Sequence, residues 1–204
     1  MSSRAAELPE LVVNDASAWR EWLASHHGDP RGVRLVLAKK GATMPTRMTH
    51  GEALVEALAH GWIDGQVDRR DDATWIVRFT PRQKRSPWSK RNTLIVERLL
   101  DEGLMHRAGI AEVERAKADG RWQAAYQGSA TIEVPADLAA ALSADPAARA
   151  MFANLTAANR YAVLYRIQDA KRPETRARRI ETFVAMLARG ETVYPQRKAP
   201  SASI

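Results

Sequence analysis

The stretch Thr49-His50-Gly51-Glu52-Ala53-Leu54-Val55-Glu56-Ala57-Leu58-Ala59-His60-Gly61-Trp62-Ile63-Asp64-Gly65-Gln66-Val67 changes its period part-way, and that change decides the fold class. Thr49 followed three residues later by Glu52 is a capping box, in which each side chain serves the other residue's backbone N–H. Leu54, Ala57 and Leu58 then fall on one helical face, and Gly61 stops the helix. Past Gly61 the helical period is gone. Residues 62–67 and 74–80 read as the two strands of a hairpin joined through Asp68, Arg69, Arg70, Asp71 and Asp72, with Trp75, Val77 and Phe79 on one face of the second strand. A helix running into a hairpin predicts an α+β body, a small antiparallel sheet packed with helices.

Upstream, Asp15 or Ser17 caps a helix in which Trp19, Trp22 and Leu23 share a face and which Gly28 and Pro30 end. Both Trp residues are expected in the core. Residues 33–38 (Val-Arg-Leu-Val-Leu-Ala) alternate only partly, as a strand buried on most of both faces does, and Lys39, Lys40 and Gly41 form the following turn. Downstream, Pro81 ends the second hairpin strand and Pro87 interrupts the segment after it, since proline cannot donate a ladder hydrogen bond. Ser89 caps a helix reaching about Glu102, with Leu94, Ile95, Val96 and Leu99 on its buried side, and another helix spans 107–119. Gly128 and Ser129 mark a linker over 127–131, after which no Trp occurs and the chain reads as helices over 135–142, 146–155, 157–169 and 174–189. The organisation expected is an α+β body over 1–127, an all-helical region over 131–192 and a disordered tail over 195–204.

At 204 residues the chain can enclose one core or two small ones. A net charge of +7 favours an anionic partner such as nucleic acid, phosphate or acidic lipid, against the plainer reading of a solvated basic surface. With no cysteine there is no disulfide, thiolate metal site or Cys nucleophile. No stretch approaches the roughly 20 apolar residues of a membrane span, and the N-terminus lacks a basic region leading into an apolar run, so a cytoplasmic protein is expected. His26, His27, His50, His60 and His106 lack metal-ligand spacing, and no nucleotide-binding loop or nucleophile elbow is present, so no cofactor is implied.

Four motifs carry a family resemblance: Gly61-Trp62-Ile63-Asp64-Gly65; Phe79-Thr80-Pro81-Arg82 running into Ser86-Pro87-Trp88-Ser89-Lys90-Arg91-Asn92; Ala116-Lys117 with Gly120-Arg121-Trp122; and Ala170-Lys171-Arg172-Pro173-Glu174-Thr175-Arg176 with Arg178-Arg179-Ile180. In order and spacing they resemble the YdeI/OmpD-associated family over most of the chain, from about Trp19 to Tyr194. The resemblance implies an α+β N-terminal body, a helical C-terminal region and the label of bacteriocin protection or envelope association. It implies no catalytic residue.

Between Trp75 and Val96 there is no acidic residue, while Arg78, Arg82, Lys84, Arg85, Lys90 and Arg91 are cationic. Arginine forks and lysine charges beside Trp75 and Trp88 can hold phosphates while an indole stacks on a base, and Ser89 at a helix start adds backbone donors. The candidate ligand-binding set is therefore Trp62, Asp64, Arg82, Trp88, Ser89, Lys90, Arg91 and Asn92, completed as a cleft by Lys171, Arg172 and Arg176 from the second cationic motif. Asp64, between two glycines, is expected either to pair with Arg82 or Arg91 or to act as an acid or base. Three functional readings stand: an anion-binding protein, an enzyme on a small anionic metabolite with Asp64 as acid or base, and a helical module that docks a protein partner.

Overall fold

The capping box at Thr49 and Glu52 closes on both sides in the computed structural model, which describes residues 8–196. The Glu52 amide donates to the Thr49 hydroxyl at 3.4 Å, and the Glu52 carboxylate accepts from the Thr49 amide at 2.8 Å. This starts α2 (His50–Ala59), which ends as Gly61 takes a φ of +78° and turns the chain straight into β3 (Trp62–Arg69). β4 (Thr74–Pro81) returns antiparallel to it, and Asp71 shapes the connecting turn by accepting from the Ala73 and Thr74 amides at 2.9 and 2.7 Å. The turn lies one to two residues later than the charge run suggests, because Asp68 and Arg69 still pair with Ile76 and Trp75.

β2 (Val33–Ala38) pairs antiparallel with β4, and β1 (Glu10–Leu11) runs parallel to β2, giving the order β1-β2-β4-β3. The sheet is therefore mixed, a correction to the antiparallel expectation: a two-residue strand has no period to read. The α+β class stands.

One face of this sheet carries Val33, Leu35, Leu37, Val77 and Phe79, and helix α1 (Ala16–His26) brings Trp19 and Leu23 onto it. Asp15 caps α1 by accepting from the Ser17 and Ala18 amides at 3.1 and 3.2 Å. Trp19 is fully buried and its indole N–H donates to the Ala53 carbonyl at 3.1 Å, which removes the cost of burying that donor. It stacks on half-buried Trp22 at 5.2 Å and meets Trp62 edge-on at 6.4 Å. Helices α3 (Lys90–Asp101) and α4 (Arg107–Ala118) complete this part, with Trp88 and Trp122 packed at 4.8 Å. Where α4 meets the end of α2, Gly109 lets the backbones touch: a Cβ there would lie 2.1 Å from the Ala59 carbonyl oxygen.

The chain divides into two compact units at Ala125/Tyr126. The second contains α5 (Ala136–Ala144), α6 (Pro146–Ala153), α7 (Ala157–Gln168) and α8 (Pro173–Ala188) around Leu138, Leu142, Phe152, Val163, Leu164, Ile167, Ile180 and Leu187. Prolines open α6 and α8, where the missing N–H would have no helical partner anyway. Buried Asn159 donates to the Tyr194 carbonyl at 3.0 Å and to the Gln196 side chain at 2.8 Å, so the helical unit holds the chain as far as Gln196. The remainder of the expected tail, 197–204, lies outside the described residues. Among the described residues no helix is long and apolar enough to cross a membrane.

Candidate functional site

Pro81 closes β4 and the chain enters the loop that precedes α3. Arg82 turns inward: it is 6% exposed, its guanidinium lies 3.6 Å over the Trp88 ring, and its Nη1 donates to the Pro87 carbonyl at 3.1 Å. Trp88 is buried in turn against Trp122. From the other side, Arg121 donates to the Ser86 carbonyl at 3.1 Å and to buried Glu112 at 3.0 Å, and Glu112 also pairs with Arg115 at 2.9 Å. The Ser89 hydroxyl then accepts from the Asn92 amide at 3.2 Å, which caps α3 as expected. Ser89 and Asn92 are both buried. The loop is thus a shaped, tethered element.

Outward from it stand Lys84, Arg85, Lys90 and Arg91, all exposed, and none of them forms an ion pair with a described carboxylate. Their surroundings in the same unit differ. Arg20, Arg31, Arg47, Arg70, Arg115 and Arg121 each have an acidic partner within 3 Å. Among the described residues, therefore, no carboxylate forms an ion pair with these four charges.

Asp64 takes His50 as its hydrogen-bond partner, where Arg82 or Arg91 was the partner expected. It sits opposite Phe79 on the helix-covered side of the sheet, under the first turn of α2, and its Oδ2 lies 2.9 Å from His50 Nε2. Arg82 is turned toward Trp88, while Arg91 adds only its field. Burial works to raise the Asp64 pKa, but the His50 hydrogen bond and the charges of His50 and Arg91 outweigh it and hold the carboxyl below its ordinary value. A carboxylate only accepts, so Nε2 donates this hydrogen bond and the bond fixes the direction of Nδ1, the orientation an imidazole needs to act as acid or base. His50 escaped the sequence reading because its partner is fourteen residues away, across a helix and a turn.

Residues 131–190 match the family model described as "Bacteriocin-protection, YdeI or OmpD-Associated", and residues 11–112, half of the chain, match that of a domain of unknown function, DUF8412. The chain belongs to the DUF8412 family, and its residues 131–190 are similar to the YdeI/OmpD-associated family. The YdeI/OmpD-associated match covers α5 to α8 and holds only the last of the four motifs; the first two lie in the DUF8412 span and the third lies between the two matches. The resemblance is thus confined to a shorter stretch than its motifs suggest. No curated protein and no solved structure matches the chain at a significant level.

In the YdeI/OmpD-associated domain, Lys171 and Arg172 are exposed ahead of Pro173, at the start of α8. Arg176 is differently placed. Its guanidinium forks onto Asp137 at 2.6 and 2.9 Å and donates to the Ile167 carbonyl at 3.0 Å, tying α8 to α5 and α7. In the DUF8412 domain, Trp62 is fully buried and its indole N–H donates to the His27 carbonyl at 2.9 Å, which makes it a core group.

Folding of that same domain gathers three histidines whose sequence spacing is uninformative. The His106 ring lies 4.9 Å from both His60 and His27, beside a cavity of about 440 Å³ lined by Arg20, Glu56, Leu99, Met105, His60 and His106. Among the described residues no group of His, Asp or Glu is arranged to hold a metal ion. His60 donates from Nδ1 to the Glu56 carbonyl at 2.9 Å, whereas His106 Nδ1 accepts from the Ala108 amide at 3.2 Å. Burial lowers the pKa of His60, with His27 and Arg20 adding to it against the bond and charge of Glu56; burial, His60, His27 and Arg107 lower that of His106. The unfolded chain takes up its protons near the ordinary 6.5 and the folded chain only at lower pH, so this stability is complete above 6.5 and is lost as pH falls from there toward the folded values. For buried His60 the loss is at most about 1.4 kcal/mol per pH unit. Urea midpoints at pH 7.5 and 5.5 should differ in that sense, and His60→Asn should shrink the difference; equal midpoints for the native chain would contradict it.

Proposed function

We propose that this protein binds an anionic ligand, with nucleic acid as the broadest case, on the surface formed by Lys84, Arg85, Lys90 and Arg91 around the start of α3. The observation that carries this reading is that these four exposed cations form no ion pair with a described carboxylate, while six other arginines of the same unit do. Prolines and buried ties support it further, because a tethered loop presents its charges without the ordering cost that a flexible arm incurs. The first-turn amides of α3 point the same way, being donors that no intrahelical carbonyl serves. Lys171 and Arg172 are the corresponding candidates in the YdeI/OmpD-associated domain.

Polarisation of a labelled single-stranded oligonucleotide, titrated over a range of salt, tests the reading. Four phosphate contacts predict a slope of about −3 in log K against log salt. Changing Lys84, Arg85, Lys90 and Arg91 together to Gln should abolish most of that slope and lower affinity about 100-fold at low salt, with folding stability unchanged within about 0.5 kcal/mol. A flat salt response, or equal affinity of the quadruple variant, removes the proposal.

A second reading, an enzyme acting on a small anionic metabolite, is favoured by one specific observation, the 2.9 Å bond that orients His50 on Asp64. In it His50 is the acid or base, Asp64 its positioning partner, and Arg91 the nearby cation that attracts the substrate.

A further inference from the structure

We infer that the YdeI/OmpD-associated domain holds a site for a small phosphomonoester between α7 and α8. A cavity of about 260 Å³ opens there, lined by Arg166, Asp169, Arg178, Arg179, Thr182 and Phe183. Arg179 is fixed by donating to the Arg166 carbonyl, and it faces the one carboxylate of the cavity, Asp169, at 3.6 Å. Arg166 and Arg178 form no ion pair with a described carboxylate, so the cavity keeps two uncompensated guanidinium charges, one from each helix.

The ligand class follows from number, shape and size. Two net positive charges match the near-dianionic phosphomonoester at neutral pH. A phosphomonoester, with three oxygens and close to two charges, can engage two guanidinium forks at once, where a carboxylate has two oxygens and one charge. The volume falls below the range of about 300–1,000 Å³ usual for drug-sized ligands, which fits a phosphate with a few carbon atoms and no more, and Phe183 supplies an apolar wall for those carbons. Thr182 is already committed, donating from its hydroxyl to the Arg178 carbonyl at 2.8 Å, and so holds the backbone at that position in place. This inference is independent of the cationic loop in the other unit.

The test is a titration of the full chain by amide NMR with inorganic phosphate and with glycerol 3-phosphate, against sodium chloride of equal ionic strength. Saturable shifts of Arg166, Arg178, Arg179 and Thr182 are expected with both phosphates, at a dissociation constant of about 1 mM or tighter, and not with chloride. Arg166→Gln with Arg178→Gln should weaken binding about tenfold or more, the effect of losing charge-assisted hydrogen bonds. If that pair fails to fold, Arg166→Lys with Arg178→Lys retains charge and packing stem but loses the fork, and should still bind more weakly than the native chain. Shifts confined to residues outside 166–183, the same response to chloride, or undiminished affinity in the folded variants would each overturn the site; shifts confined to 84–91 would do so while leaving the loop proposal standing.

Discussion

Replacing Gly109 with alanine, a change that raises helix propensity, is expected to cost more than about 4 kcal/mol of stability. Within a helix, alanine ordinarily gains about 1 kcal/mol over glycine. Here the added Cβ would lie 2.1 Å from the Ala59 carbonyl oxygen and 2.8 Å from the Ala59 carbonyl carbon and the Met105 methyl. The methionine can move, but the carbonyl cannot, since the His106 amide holds it at 3.0 Å and it ends the helix that Gly61 turns into β3. Gly61 is close as well, its own Cβ position lying 3.2 Å from the Ala108 carbonyl oxygen, so α2 and α4 meet backbone against backbone with no side chain to yield. Gly51→Ala in α2 is the matched control, because nothing lies within 4 Å of its Cβ position, and it should be neutral or stabilising. Urea unfolding of the two variants decides the matter; equal or greater stability for Gly109→Ala would refute the backbone contact.

Glu112→Ala should cost about 3–5 kcal/mol, the usual effect of removing one member of a buried ion pair. The Glu112 side chain is 3% exposed and pairs with Arg115 and Arg121, and the Arg121 side chain is itself only 15% exposed. Asp119 remains beside Arg121 but is largely in solvent, so it replaces little of the lost interaction. The consequence reaches the loop, because the Arg121 Nη1 that bonds Glu112 also donates to the Ser86 carbonyl. Glu112→Gln, which keeps the shape and one acceptor, should lose less. Along with the fall in urea midpoint, hydrogen exchange at the Gln83 and Ser86 amides should accelerate, since those amides close the loop's own turn. A Glu112→Ala chain within about 1 kcal/mol of the native one, or unchanged exchange at those amides, would show that the tie holds nothing.

These sites also mark what could be read from the chain alone. The capping box at Thr49 and Glu52 and the Ser89 cap rest on interactions within a few residues, the strand over 33–38 announces itself by its local composition, and the structure shows all three. The cationic loop was legible as composition, yet the inward turn of Arg82 was not: whether an arginine meets an indole or the solvent is settled by packing that Trp122 completes from 34 residues beyond Trp88. The His50–Asp64 bond and the histidine group at positions 27, 60 and 106 depend on sheet register and on where helix ends converge, neither of which has a local signal. The hydrogen-bond partner of Asp64 was not foreseen for a related reason. Nearness in sequence to a run of cations proved a weaker guide than the face of the sheet on which the residue stands.

That face belongs to β3, the outer strand on its side of the sheet, and its ladder to β4 slips between Asp64 and Val67. An outer strand offers its spare N–H and C=O groups to any chain that can lie alongside, which is how cross-β aggregates begin. The slip bends and twists the strand at its middle, so the spare groups do not form a straight row on which another chain could be laid down. The irregularity that follows Asp64 thus also guards a sheet edge bearing exposed Val67 against fibril growth.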